Sequence, residues 1–196
     1  MRFLYTLGVM YIVLCAALLY RGQPAVVPPV PVPAPPAHPN VAPPPGNAAE
    51  WYGQIKPFCN SLEVESHLRF QPPPVGADGA GYAAACLALA GKIDQARERI
   101  VALPEAQRTT AVGIVFEIGH PVADAGDDKS AGPIMELVVE FWPNHYMALY
   151  HAGASEFILG QPELARKHLE SFLQYYHEND GWRTNALDML HKLGAQ

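Results

Sequence analysis

The chain is short of charge and of cysteine, and the usual catalytic signatures are missing. Charged residues occupy 16% of its 196 positions, against about 25% in an ordinary soluble protein. The shortage is local, because residues 1–49 hold only two charged side chains, Arg2 and Arg21. The remainder holds all 19 acidic residues and 11 of the 13 basic ones, a formal charge of −8. Such a balance argues against a nucleic-acid or anionic-membrane surface, since phosphate binding runs on Lys/Arg patches. There is no GxSxG, P-loop, GxGxxG or evident paired-carboxylate frame, so no catalytic residue and no cofactor is indicated, and the chain reads as a non-enzyme. Without CxxCH, covalent haem is excluded. The eight histidines include no His–His i, i+4 pair and no HExxH, so no helical zinc site is expected. Asp124, Asp127 and Asp128 cluster but lack EF-hand spacing, and read as solvated or helix-capping acids. Strand signals are nearly absent after residue 50.

What is present falls into three segments. Phe3 to Tyr20 is an uncharged run of 18 residues, reaching roughly 27 Å as a helix, enough for a hydrocarbon core. A cleavable signal peptide is the competing reading, but Ala16-Ala17 is followed by Leu18-Leu19-Tyr20-Arg21, where a cleavage site would want small residues. Residues 1–21 are therefore expected to be a retained transmembrane anchor. Arg2 and the α-amino group on one side against Arg21 on the other bias the N-terminus toward the cytoplasm. A bacterial reading then places the rest in the periplasm, with the opposite orientation as the alternative.

Residues 22–49 hold 11 of the 20 prolines and no charge. Helix interiors and sheet ladders reject such proline density, which leaves an extended polyproline II arm. At about 3.1 Å per residue it would reach on the order of 85 Å. It is either a spacer or a docking arm, and Val26, Val27, Val30 and Val32 offer apolar contacts that a plain spacer would not need.

Residues 50–196 read as all-α. Asn47 and Glu50 have capping-box spacing. Trp51, Ile55, Phe58, Cys59 and Leu62 share one helical face, which Pro57 should divide into two shorter helices. Pro162 suits a first helical turn, and Trp182 to Leu193 reads as a last amphipathic helix ending at Gly194. Of the three cysteines, Cys15 lies in the apolar run. Cys59 and Cys86 either form a disulfide contributing roughly 3 kcal/mol or are two small buried residues on different helices.

An internal period then emerges. Gly91, Gly126 and Gly160 are 35 and 34 residues apart. Seven positions before each stands a small residue (Ala84, Gly119, Gly153), five after each an alanine (Ala96, Ala131, Ala165), and nine after each an apolar residue (Ile100, Met135, Leu169). Helix axes approach closely only where no bulky side chain intervenes. The pattern resembles the tetratricopeptide repeat, a 34-residue helix–turn–helix unit, over about 110 residues. Ala80, Val115 and Leu149 stand where that family favours a large residue such as tryptophan, and Gly119-His120-Pro121 should end the middle unit's first helix early, with a long loop to about Ser130.

The resemblance implies a solenoid with an inner groove, lined here by Asp78, Gly81, Ala85, Gly113, Phe116, His120, Met147, Tyr150 and Ala154. The Lys/Arg/Asn clamp that some members use for a peptide carboxylate is absent, so an apolar contact is expected. Phe116, His120, Met147 and Tyr150, with the four valines, are the candidate partner-binding residues. The leading expectation is a membrane-anchored interaction subunit whose partners are other protein subunits of a large bacterial membrane complex. Energy-transducing assemblies, photosynthetic ones included, suit this architecture, although no motif specifies one. The alternatives are a periplasmic assembly or secretion factor that binds clients transiently, and a periplasmic enzyme or ligand-binding receptor.

Overall fold

The computed structural model describes residues 47–195, which belong to a unit spanning Val41–Gln196. The expected anchor, the proline arm and its valines Val26, Val27, Val30 and Val32 lie outside the described residues. Among the described residues there are nine α-helices, one 3-10 turn and no strand: α1 (Ala48–Ile55), the turn Lys56–Phe58, α2 (Val64–Phe70), α3 (Ala77–Leu89), α4 (Ile93–Val101), α5 (Glu105–Asp124), α6 (Asp128–Phe141), α7 (Tyr146–Ile158), α8 (Pro162–Tyr175) and α9 (Gly181–Gly194). No described helix is long and apolar enough to cross a membrane.

Three of the connections are the same object. Gly91, Gly126 and Gly160 have φ of 74°, 78° and 72°, the left-handed region that only glycine enters without strain. The N–H of each donates to the carbonyl three residues back (Ala88, Ala123, Phe157), at 2.9, 2.9 and 3.3 Å. The next residue (Lys92, Asp127, Gln161) donates five residues back, to Leu87, Val122 and Glu156. This is a Schellman stop, which satisfies the orphan carbonyls of the first helix. It produces three helical hairpins, α3–α4, α5–α6 and α7–α8. The small and apolar residues at fixed offsets from these exposed glycines face inward: Ala84, Ala96, Ala165, Ile100, Met135 and Leu169 are fully buried. At Gly153 an added Cβ would stand 2.7 Å from the Leu169 Cγ, which makes this glycine the crossing point of α7 and α8.

The middle hairpin departs from expectation. Gly119-His120-Pro121 does not end α5, which runs on to Asp124, and the connection to α6 is short. Pro121 removes the hydrogen bond to the Glu117 carbonyl, but Glu117 and Pro121 are both exposed, so water can take that carbonyl. On the opposite face Val115, Gly119 and Ala123 stay buried, and their packing holds the last turn. A second correction concerns Leu62, which is 90% exposed. Residues 59–63 are not helical, so the face that contains Ile55 stops short of it.

The stack is not uniform. α5 packs broadly on α3, whereas α7 packs broadly on α6 and touches α5 only sparingly. One core cluster runs from α1 to α7, centred on the alanine-rich α3, and a smaller one joins Leu149 and Tyr150 to Leu169, Phe172 and Ala186. Asn47 caps α1 by accepting from the Ala49 N–H at 3.0 Å. Cys59 and Cys86 form a disulfide, with Cα atoms 4.8 Å apart, which ties the segment after α1 to α3.

Candidate functional site

The seam between α5 and α7 gathers the most chemistry. Its helices approach without close backbone packing, so long side chains fill the space. From α5 come Phe116, His120 and Asp124; from α7, Tyr150 and His151. Trp182, at the start of α9, closes one side. The His120 and His151 Nε2 atoms are 3.0 Å apart. Asp124 Oδ1 lies 3.6 Å from the former and 3.9 Å from the latter. His151 is buried, His120 half-buried and Asp124 exposed, so the cluster opens to solvent on the Asp124 side.

Aromatic rings fix these imidazoles. Phe116 stacks on His120 with centroids 4.8 Å apart, and His145 lies 4.1 Å from Phe116. His151 meets Tyr150 and Trp182 edge-on, at 5.3 and 5.6 Å. Tyr150 and Trp182 are themselves 4.9 Å apart. Trp182 is held by the cap of its own helix: Asp180 accepts from the Trp182 and Arg183 N–H groups. Tyr176 donates to the other Asp180 oxygen, and the Arg183 guanidinium donates to the Tyr176 carbonyl at 3.0 Å. His145 caps α7, its Nδ1 accepting from Ala148 N–H at 3.2 Å.

Burial, and then the neighbouring His120, push His151 down to about 4, against the opposing pull of Asp124. His145 is lowered as well, first by burial. Burial raises the Tyr150 phenol, against a hydrogen bond with Asn185. The seam therefore keeps His151 neutral at physiological pH, able to share a proton or offer a lone pair.

Of the expected contact residues, Phe116, His120 and Tyr150 come together here. Tyr150 is 7% exposed and belongs to the smaller core cluster, so it supports the wall more than it offers a surface. Met147 is half-buried and makes no part of the imidazole cluster. Sequence reasoning missed Asp124, His151 and Trp182. The available signal was His120 and Asp124 at i, i+4, one helical face, which the expected break at Pro121 concealed.

A second polar concentration lies between α4, α6, α7 and α8, in a cleft of roughly 650 Å³. Glu156 is 1% exposed, and both of its oxygens lie within 2.9 Å of His168 Nδ1. Glu136 faces it from α6. Desolvation, and then the Glu156 charge, raise the Glu136 carboxyl above its ordinary value. Arg97 bonds Glu140 at 2.8 Å on the rim. Comparison with protein-family models and with curated proteins gives no match to the chain.

Proposed function

We propose that residues 50–196 form a tetratricopeptide-like solenoid serving as a non-catalytic interaction subunit, anchored through residues 3–20 to a bacterial inner membrane with the helical domain in the periplasm. The observation that carries this reading is the threefold recurrence of one glycine turn, with the same φ and the same pair of hydrogen bonds at Gly91, Gly126 and Gly160. Repeated hairpins stack into extended surfaces suited to a protein partner. The proposed partner is another subunit of a membrane complex, contacted through the face bearing Phe116, His120 and Met147 and through Val26, Val27, Val30 and Val32 of the arm. The half-buried Phe116 and Met147 supply the apolar, shape-based contact.

The test is co-purification of the full-length chain from membranes in mild detergent, with partner stoichiometry measured by mass spectrometry. Phe116→Ser combined with Met147→Glu should lower that stoichiometry while far-UV circular dichroism is unchanged. Retention of the same partners at the same stoichiometry would overturn the assignment of this face.

A second reading, a ligand-binding receptor or enzyme of the periplasm, draws on the cleft with its Glu156–His168 pair. Glu156→Gln would abolish small-molecule binding under that reading and leave the membrane partners untouched.

A further inference from the structure

We propose that His120, Asp124 and His151 form a binding site for a divalent transition-metal ion of the zinc class, joining α5 to α7. The proposal does not depend on the interaction reading, because it rests on donor positions alone. An ion with ligands about 2.0–2.2 Å away in a tetrahedron holds its donor atoms about 3.3 Å from one another. The three separations here are 3.0, 3.6 and 3.9 Å, so small side-chain rotations bring each donor to its distance. Two imidazole nitrogens and one carboxylate favour zinc, cobalt, nickel or copper over magnesium or calcium, which take oxygen ligands. Three protein donors leave a fourth position open, and it faces solvent beside the exposed Asp124.

Preorganisation supports the same conclusion. His120 and Asp124 share a face of α5, four residues apart. His151 approaches from α7, with Trp182 and Tyr150 against its ring, and Phe116 backs His120. The hydrogen bond between the two Nε2 atoms needs one of them to carry a proton. When both nitrogens ligate a metal, that ring takes the tautomer with its proton on Nδ1, so both imidazoles stay neutral and each offers its Nε2 lone pair. α5 and α7 touch only sparingly, so an ion here would join two helices that little direct packing holds together.

The experiment uses the full-length oxidised chain, stripped with chelator, which keeps Cys59 and Cys86 in their disulfide and out of the titration. Zn2+ is titrated by calorimetry, and Ni2+ by quenching of tryptophan fluorescence. We expect one equivalent of Zn2+ and a rise in Tm on loading. Ni2+ should quench Trp182, 5.6 Å from His151, and Trp182→Phe should remove most of that response. His120→Ala and His151→Ala should each weaken Zn2+ binding by on the order of 100-fold or more, since even losses outside the ligand shell reach that size. Asp124→Asn, on the exposed side, perturbs folding least and should also weaken binding. Wild-type affinity in His120→Ala and Asp124→Asn, or no stoichiometric Zn2+ binding by the wild-type chain, would overturn the proposal.

Discussion

Gly153→Ala places one methyl group at the point where α7 crosses α8. Its Cβ would stand 2.7 Å from Leu169 Cγ, 3.0 Å from Cδ2 and 3.1 Å from the Leu169 backbone nitrogen. Carbon atoms rest at about 3.5–4.0 Å, so the overlap approaches 1 Å. Leu169 is 0% exposed and cannot swing into solvent. Overpacking of this kind costs about 1–3 kcal/mol, while exchanging glycine for alanine in a helix interior returns about 1 kcal/mol. The net expectation is a loss of about 1 kcal/mol, a fall in Tm of roughly 2–4 °C for a domain of this size. Thermal unfolding followed by far-UV circular dichroism reads it. The decisive comparison is the Leu169→Ala background, in which the side-chain overlap is gone and Gly153→Ala should become stabilising by up to about 1 kcal/mol. Gly113→Ala is the internal control. Its Cβ would meet nothing closer than Trp142 at 3.8 Å, so it should stabilise α5 by about 1 kcal/mol. Stabilisation by Gly153→Ala in the wild-type chain, or the same sign in both backgrounds, would refute the assigned crossing.

Reducing the Cys59–Cys86 bridge, which closes 27 residues of sequence, should lower stability by about 3.5 kcal/mol on the chain-entropy scale; equal urea midpoints with and without reductant would count against it. His151 sits at about 4 when folded and 6.5 by default, so its contribution is whole above pH 6.5 and is lost as pH falls toward 4. The loss is on the order of 3 kcal/mol. Urea unfolding in chelator should show it in the wild-type chain, and an undiminished slope in His151→Phe would refute the attribution. Glu136→Gln should stabilise the chain at pH 7, because it removes a carboxylate that is partly desolvated and also faces Glu156. That gain should fade as acid protonates Glu136, and a gain independent of pH would contradict the cause. Exchanging residues 24–45 for a Gly/Ser linker of equal length should reduce co-purification with membrane partners; full retention after stringent washing would make the arm a tether.

The hairpins were legible because their determinants are local. A glycine that must take positive φ, with small residues at fixed offsets, writes itself into the sequence at a period of 34 or 35. α9 was legible in the amphipathic pattern from Trp182 to Leu193, although sequence reasoning missed its cap, Asp180. Pro121 misled because a proline's effect depends on which face it occupies. Its missing hydrogen bond would break a buried turn, yet is cheap where Glu117 is open to water. The imidazole cluster was hidden for a related reason. His120 and Asp124 become one face only if α5 continues, and His151 joins them through tertiary packing that no spacing encodes. The Glu156–His168 pair was equally out of reach, since its residues lie on opposite sides of the Gly160 turn and meet only once the hairpin closes.

The bridge between Cys59 and Cys86 also sets a path for mechanical load. Tension on the chain from its N-terminal side can unravel α1 and the 3-10 turn, but at Cys59 it meets a covalent link. From there the pull enters Cys86, buried in the last turn of α3, and residues 60–85 are bypassed. α2 and the first turns of α3 are thus shielded from peeling, and further extension must shear α3 out of its packing against α4 and α5 at once. Shear of that kind resists far greater force than unzipping one helix at a time. A domain held by its N-terminal end would keep its core through pulls that cost it only its first helix.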